Sequence, residues 1–285
     1  MPQKLLSTLL LAVITTASFS QDIASGDATF SYESFTLGQI TLPYRKASIE
    51  LNNTTKPALV LYLHGGTSRG NDNETQLKEK AVGVITDYLT RRNIPAIFIV
   101  PQCPANGGWT SQNRKVMNDL LQSYILKGEA DADRVYVMGG SMGGTGTWCQ
   151  LSYFPNFYAA AMPVAGNPTG LNATNVATTP VLTVMGTADA LMSIDDVETF
   201  KTDVIAAGGT VLLNIENGWS HPTTCEESYT DERLDWLFSH TRSTTTGIRD
   251  ISKEKVANDV KYSLSGRHLS SPTRSIYIRN GKKYR

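Results

Sequence analysis

The sequence has no surplus of charge and no long apolar run in its interior. Lysine and arginine together number 26, as do aspartate and glutamate, so the net charge is zero. Only residues 241–285 are basic, with 11 Lys or Arg against 3 Asp or Glu, and these cations are scattered. A dense basic patch would favour nucleic acid or an anionic membrane. The sequence therefore predicts no nucleic-acid partner, and beyond the first twenty residues it predicts no membrane span.

Cysteine and histidine are also scarce, with three and four residues. His, Cys and Asp do not cluster at metal-ligand spacing, which predicts neither a metal nor another cofactor. The cysteines, Cys103, Cys149 and Cys225, permit one disulfide with one thiol left over. Two interpretations stay open: a Cys103–Cys225 bond, since both lie near the motifs described below, or three unpaired residues in the core.

The first residues have the pattern of a secretory signal peptide. Lys4 precedes a short apolar run over residues 5–14, and Ser18 and Ser20 are small residues of the kind preferred at a cleavage site. We expect cleavage after Ser20 and a protein that is secreted, held at the cell surface or located in the periplasm. The predicted divisions are a signal peptide (1–20), a main domain (21–240), a linker (241–247) and a tail (248–285). Residues 275–281 of the tail favour a small β-hairpin.

Strand and helix patterns alternate over residues 35–239. Continuous apolar runs such as ALVLYL and IPAIFIVP read as buried strands. Apolar residues recur at helical spacing over residues 74–92, 142–154, 194–207 and 230–240. Buried strands that alternate with amphipathic helices predict a mostly parallel sheet with helices on both faces, which is an α/β fold of the doubly wound kind.

One serine stands among glycines in the segment RVYVMGGSMGGTGTW, residues 134–148. The spacing Gly139-x-Ser141-x-Gly143 follows an apolar strand and precedes a helical pattern. A serine hydroxyl needs a neighbouring base to act as a nucleophile, and a tight strand-to-helix turn presents it to one. The segment has neither the GxGxxG nor the GxxxxGK[ST] spacing of a nucleotide-binding turn. Ser141 is therefore predicted to be a nucleophile.

A serine nucleophile requires a histidine that follows it in this type of fold. His64 precedes the serine, His240 ends the last predicted helix, and His268 lies in the tail. His221, in the segment ENGWSHP, comes directly after the last predicted strand, on an expected loop. It is the predicted general base.

The acid that orients the histidine should follow an intermediate strand, and VLTVMGTADALMSIDD provides three candidates. Asp189 lies on the expected loop, three residues past Gly186. Asp195 and Asp196 follow Ser193, a predicted N-cap, where acidic residues are ordinary at a helix start. Asp189 is therefore the predicted acid, with Asp195 in reserve.

Acyl transfer also requires backbone N–H donors for the developing oxyanion. One is expected at Met142, which follows the nucleophile. The second is expected at Gly66 or Thr67, in the segment LYLHGGTSRGNDN that follows an earlier strand. His64 is expected to brace this loop.

Together these residues resemble the α/β-hydrolase superfamily, and more narrowly the dienelactone-hydrolase-like and polyester-depolymerase-like esterases, which include feruloyl and acetylxylan esterases. The matching segments, over residues 61–239, include LHGGTSRGNDNETQL, PQCPANGGW and GWSHPTTCEESYTDERLDWLFS. The resemblance implies a triad of Ser141, Asp189 and His221, and it implies that Trp109 is an aromatic residue beside the substrate. The tail resembles the C-terminal sorting domains of type IX secretion, which implies contact with a secretion machinery.

The sequence thus predicts a secreted serine esterase without a cofactor, whose partner is a small-molecule or polysaccharide ester. Secretion and the resemblance together favour acetyl or feruloyl esters of plant polysaccharide. Two alternatives stay open. One is a serine peptidase of the prolyl-oligopeptidase type, which shares the order of the triad. The other is a non-catalytic binding protein on a hydrolase scaffold.

Overall fold

The computed structural model describes residues 23–26, 28–50, 54–109 and 111–242, and the backbone of residues 261–263, 268–269, 277–279 and 282–284. The chain divides into two compact units, Met1–Ser243 and Thr244–Arg285. The boundary between the units falls inside the predicted linker, residues 241–247. The predicted signal peptide, residues 1–20, lies outside the described residues.

Within the described part of the first unit, nine strands form one sheet. They are β1 (Ile23–Ser25), β2 (Ala28–Leu37), β3 (Ile40–Ile49), β4 (Ala58–Leu63), β5 (Ala96–Pro101), β6 (Val135–Gly140), β7 (Ala160–Val164), β8 (Val181–Ala188) and β9 (Val211–Ser220). Their spatial order is β1-β2-β3-β5-β4-β6-β7-β8-β9. Strands β1 to β3 pair antiparallel and β3 joins β5 antiparallel, whereas β5, β4 and β6 to β9 are all parallel.

Helices cover both faces of this sheet, as predicted. The helices of the described first unit are α1 (Lys80–Arg91), α2 (Ser111–Leu126), α3 (Met142–Tyr153), α4 (Ala173–Val176), α5 (Ile194–Ala206), α6 (His221–Glu227) and α7 (Asp231–Ser239). The apolar residues of α1 and α7 pack into the core on one face. Those of α2, α3, α4 and α5 pack into the core on the other.

Strand β4 shows why the central strands read as unbroken apolar runs. Leu59, Leu61 and Leu63 lie in one core and Val60 and Tyr62 in the other, and all five are at most 1% exposed. Successive side chains of a strand point to opposite faces, so a strand covered on both faces needs apolar residues throughout. The predicted α/β class is confirmed.

The helix predicted over residues 74–92 is interrupted. A 3-10 turn covers Thr75–Lys78 and α1 begins at Lys80, because Glu79 between them has extended backbone, with φ −65° and ψ 127°. The side chain of Glu79 turns toward Gly65 instead of continuing a helical face. Local periodicity does not register such a contact, which joins residues far apart in the chain.

The second unit contains four short strands among its described residues. They are β10 (Lys261–Ser263), β11 (His268–Leu269), β12 (Tyr277–Arg279) and β13 (Lys282–Tyr284), in the order β11-β10-β12-β13. Strands β12 and β13 pair antiparallel, with Arg279 opposite Lys282. This hairpin overlaps the one predicted over residues 275–281, although its second strand extends to Tyr284.

Candidate active site

The candidate active site lies at the carboxyl ends of the parallel strands. Ser141 directly follows β6, Asp189 follows β8 and His221 follows β9. His64 directly follows β4, which is the neighbour of β6 in the sheet. Parallel strands end at a common edge, so residues far apart in the chain meet there.

Ser141 has a backbone conformation that L-residues rarely adopt, with φ 58° and ψ −120°. Its N–H donates to the Val164 carbonyl at 3.0 Å, and its carbonyl accepts the Thr145 N–H at 3.0 Å as α3 begins. A positive φ at a serine is a local strain that the surrounding structure must offset. The result is the sharp strand-to-helix turn predicted for a nucleophile.

The glycines around Ser141 make room for this turn. A methyl group on Gly139 or Gly143 would overlap the carbonyl oxygen of Leu63, and one on Gly144 would overlap that of Val164. These obstacles are backbone atoms of neighbouring strands and cannot move aside cheaply. The turn therefore requires glycine at these positions.

Ser141, His221 and Asp189 form a continuous hydrogen-bonded chain. The Ser141 Oγ lies 2.7 Å from the His221 Nε2, and the His221 Nδ1 lies 2.7 Å from the Asp189 Oδ2. A carboxylate only accepts, so Nδ1 carries the proton and Nε2 is free to accept the serine hydroxyl hydrogen. The Asp189 side chain is fully buried, and its Oδ1 accepts the N–H groups of Leu191 and Met192 at 2.8 and 3.0 Å.

The structure brings these three predicted residues together and differs from the sequence analysis in one local detail. His221 is the first residue of helix α6, not a loop residue. Ser220 caps this helix by accepting the Thr223 N–H, and Pro222 occupies its first turn. Proline suits that position because the N–H it lacks would have no helical partner. The reserve acid, Asp195, lies in the first turn of α5 behind the Ser193 cap, as its helix-start pattern indicated.

His64 joins two loops at this edge of the sheet. The Nε2 accepts the Cys103 N–H at 2.9 Å, so the proton must be on Nδ1, which donates to the Gly65 carbonyl at 2.6 Å. Both bonds require the neutral ring. Burial lowers the pKa of His64 to about 4, and nearby Arg69 adds to this, against the opposing effect of the Gly65 bond. His64 thus braces the loop that was predicted to hold the oxyanion donors.

Trp109, which was predicted to lie beside the substrate, is buried next to His64. It is 5% exposed and its indole Nε1 donates to the His64 carbonyl at 3.1 Å. Its ring packs edge-on against His64, with centroids 4.9 Å apart, and it lies against Gly146 of α3. The indole thus packs between His64 and α3, and its contact with a substrate stays a prediction.

The donors predicted for the oxyanion lie at the site. Met142 is the first residue of α3, where backbone N–H groups have no helical acceptor. Gly66 and Thr67 begin a 3-10 turn, Gly66–Ser68, which lines the same cleft as Ser141. The N–H of Gly65, in contrast, donates to the Glu79 Oε1 at 2.8 Å. Gly65 is therefore not available as a donor, which leaves the predicted pair, Gly66 and Thr67.

A cleft of about 800 Å³ opens beside the nucleophile. Ser141, His221, Gly66 and Thr67 lie on its wall, together with Leu191 from the loop that holds Asp189. Leu191 is 71% exposed although it is a large apolar residue. It gives the entrance of the cleft an apolar edge.

Several solved structures are similar to this chain. One is a thermostable esterase, with 25% identity, a TM-score of 0.68, and coverage of 75% of this chain and 63% of that one. A feruloyl esterase module of Clostridium thermocellum is 14% identical with a TM-score of 0.60, over 77% of this chain and 94% of the module. An acylaminoacyl peptidase of Pyrococcus horikoshii is 14% identical with a TM-score of 0.55, over 73% of this chain and 41% of the peptidase.

These likenesses decide the architecture. The chain has the α/β-hydrolase fold. A family model described as the dienelactone hydrolase family matches residues 105–241, a segment that contains Ser141, Asp189 and His221. No curated protein matches the chain. The chain spans 63% of the length of the thermostable esterase.

The three cysteines of this chain are all free. Of the two interpretations left open, the structure agrees with three unpaired cysteines and contains no Cys103–Cys225 bond. Cys225 is one helical turn after His221, with its Sγ 4.0 Å from the His221 Nε2. Burial raises the pKa of Cys225 to about 12, so its thiol stays neutral and does not compete with the serine hydroxyl.

Sequence reasoning missed Glu79, which lines the cleft behind the nucleophile. It lies in the ordinary helical-looking segment LKEKAVGV, and no spacing rule distinguishes it from its charged neighbours.

Among the described residues, no group of three or more His, Cys, Asp or Glu is arranged to hold a metal ion. In the same part of the chain, no helix is both long and apolar enough to cross a bilayer.

Proposed function

We propose that this protein is a serine esterase that hydrolyses carboxylic esters through an acyl-enzyme. The observation that carries the proposal is the hydrogen-bonded chain from Ser141 through His221 to the buried Asp189, at the mouth of an open cleft. The strained backbone of Ser141 adds support, because it holds the hydroxyl out of the sheet. The family model covers all three residues.

In the proposed first step, the Ser141 Oγ attacks the ester carbonyl carbon while the His221 Nε2 takes the hydroxyl proton. Asp189 holds the histidine tautomer and stabilises the imidazolium that forms. The carbonyl oxygen becomes an oxyanion, which the N–H groups of Met142 and of Gly66 or Thr67 stabilise. The C–O bond to the alcohol then breaks, and the alcohol leaves with the proton from His221. Water repeats the sequence on the acyl-enzyme and releases the acid.

We propose secretion and an ester of plant polysaccharide as the setting, with an acetyl or feruloyl acyl group. The warrant is the signal-like N-terminus together with the resemblance to carbohydrate esterases. The volume of the cleft, about 800 Å³, and the apolar edge at Leu191 favour the larger, aromatic acyl group. The tail is proposed to contact a secretion machinery.

The peptidase alternative draws on the same fold, since a peptidase is among the similar structures. This chain spans only 41% of that peptidase. An enzyme that cleaves peptides would hydrolyse peptide anilides, whereas the proposed esterase would not. The binding-protein alternative predicts no turnover of either substrate.

The test is hydrolysis of p-nitrophenyl acetate by the protein and by Ser141→Ala, with Ser239→Ala as the matched control. Ser239 is an exposed serine at the end of α7 whose hydroxyl donates to the Trp236 carbonyl and lies 3.4 Å from the Nδ1 of the adjacent His240. We expect Ser141→Ala to lose roughly 10⁴-fold or more in kcat, and the control to keep full activity. A panel of acetylxylan, methyl ferulate and peptide anilides then assigns the substrate. Equal rates for the protein and Ser141→Ala would overturn the proposal.

A fluorophosphonate probe provides a second measurement that does not depend on the substrate chosen. It should add to the protein at one residue, Ser141, and not to Ser141→Ala. Absence of labelling on the folded protein would favour the binding-protein alternative.

A further inference from the structure

The partly buried carboxylate of Glu79, which lines the cleft beside the nucleophile, has no role in the mechanism described so far. The Glu79 Oε1 accepts the Gly65 N–H at 2.8 Å and the Ser68 Oγ–H at 2.6 Å. The Glu79 Oε2 accepts the Tyr62 hydroxyl at 2.6 Å. The carboxylate thus ties the end of β4 and both ends of the short oxyanion loop, residues 65–68, to the start of α1.

Keeping a carboxylate at this depth is unfavourable unless donors surround it. Burial raises the pKa of Glu79, and the three hydrogen bonds, from Ser68, Tyr62 and Gly65, act in the opposite direction. The three donors converge on one group from the strand end, the loop and the 3-10 turn. Such convergence fixes the loop more firmly than three separate surface contacts would.

The contact with Gly65 determines which way the loop presents its N–H groups. The carbonyl of Gly65 accepts from the His64 ring, and its N–H donates to Glu79. Both peptide groups that flank the Gly65 Cα are therefore held, one from each side. With these two peptide planes fixed, the next backbone N–H groups along the loop are those of Gly66 and Thr67, at the start of the 3-10 turn that lines the cleft together with Ser141.

The contacts between Glu79 and Gly65 lie directly beside the nucleophile, Ser141. A Cβ built on Gly65 would lie 3.5 Å from the Glu79 Oε1 and 3.6 Å from the Ser141 Cβ. Gly65 therefore lies between the Glu79 carboxylate and the Ser141 side chain, close to both. A shift of the loop by a fraction of an ångström would change the distance between the oxyanion and its donors, to which such stabilisation is sensitive.

We propose that Glu79 is a positioning residue that sets the oxyanion donors of Gly66 and Thr67. This inference rests on the proposed esterase function and deepens it. Glu79 lines the cleft but is not one of the reacting groups, and it acts through the Gly65 peptide that its carboxylate bonds. Its removal should weaken binding of the transition state more than binding of the substrate.

Three substitutions separate this role from a general effect on folding. Glu79→Ala removes all three acceptors. Glu79→Asp keeps the charge but is one methylene shorter, so it cannot reach the Gly65 N–H and the Tyr62 hydroxyl together. Glu79→Gln keeps the shape and one acceptor oxygen for Gly65, while its amide can donate to the Tyr62 hydroxyl. Glu227→Ala is the matched control, since Glu227 is an exposed glutamate on α6 that pairs with Lys80.

We expect Glu79→Ala and Glu79→Asp to lower kcat on p-nitrophenyl acetate by about 10²-fold with little change in KM, as removal of an oxyanion donor does. Glu79→Gln should recover to within about tenfold of the unmodified protein, and Glu227→Ala should match it. The Ki of a trifluoromethyl ketone should rise in proportion to the loss in kcat/KM. Thermal unfolding shows which variants fold. If Glu79→Ala does not fold, the comparison of Glu79→Asp with Glu79→Gln still tests the positioning role.

Two results would overturn the inference while leaving the esterase proposal intact. The first is an unchanged kcat for folded Glu79→Asp, with Ser141→Ala inactive. The second is a rise in KM alone, with the Ki of the trifluoromethyl ketone unchanged. If the unmodified protein and Ser141→Ala hydrolyse p-nitrophenyl acetate at equal rates, the esterase proposal and this inference both fail.

Discussion

His64 should make the stability of the folded protein depend on pH between about 6.5 and 4. The ring is fully buried, and a second proton would lie on Nε2, where the Cys103 N–H now donates. The unfolded chain takes up this proton near pH 6.5, whereas the folded protein takes it up near pH 4. The unfolded state therefore binds more protons inside that window, and the free energy of unfolding falls as the pH falls through it.

The size of the effect follows from these two pKa values. Linkage predicts that this group alone removes roughly 2.5 kcal/mol of the free energy of unfolding between about pH 7.5 and about pH 4.5. Urea unfolding followed by tryptophan fluorescence measures that free energy at both pH values. Other groups titrate in the same range, so the informative quantity is the difference between the protein and His64→Gln. We expect His64→Gln to be less stable at neutral pH, and to lose roughly 2.5 kcal/mol less on acidification.

His240→Gln is the matched control for this measurement. His240 caps the end of α7 and its Nδ1 bonds the Trp236 carbonyl in the same helix. Equal losses on acidification for the protein and His64→Gln would refute the reasoning. If His64→Gln does not fold, NMR titration of the His64 ring decides, because a midpoint near 6.5 would contradict the neutral, two-bond arrangement.

Two further predictions test the role of Asp189 and the need for glycine in the turn around Ser141. Asp189→Asn keeps the carbonyl oxygen for the loop N–H groups but turns an NH₂ group toward the His221 Nδ1, which forces the tautomer that cannot accept the serine proton. Its kcat on p-nitrophenyl acetate should fall by roughly 10⁴-fold with unchanged thermal unfolding, and a loss below about tenfold would argue against Asp189 as the orienting acid. Gly143→Ala places a methyl group into the Leu63 carbonyl and should abolish both folding and activity, measured by circular dichroism and ester hydrolysis. Gly108→Ala, where a methyl group would meet nothing within 4 Å, should behave as the unmodified protein, and a folded, active Gly143→Ala would show that the turn tolerates bulk.

Much of the architecture could be predicted because it depends on patterns of apolar residues and glycines between near neighbours in the chain. The buried strands appear in the sequence as short apolar runs, since both faces of the sheet are covered. The position of Ser141 follows from glycines that are needed at a strand-to-helix turn. The choice of His221 follows from chain order, since the other three histidines lie before the serine, at a helix end or in the tail. These inferences need only the periodicity of the backbone and the order of the strands.

The remaining features depend on where side chains point after the sheet has formed. Trp109 was expected beside the substrate, yet its ring packs against His64 and the residue is only 5% exposed. The number of cysteines permitted one disulfide, but all three are free in the folded chain. His221 begins a helix because Ser220 and Pro222 cap it, where a loop was expected.

The sequence by itself determined the α/β class, the alternation of strands and helices along the chain and the residue types available for acyl transfer, because these follow from patterns between near neighbours. Only the tertiary structure decided that Ser141, His221 and Asp189 lie within hydrogen-bond distance. It alone also decided that His64 is neutral and that Glu79 reaches Gly65. The physical reason is that hydrogen bonds and desolvation act over a few ångströms, and such distances exist only after segments far apart in the chain have packed together.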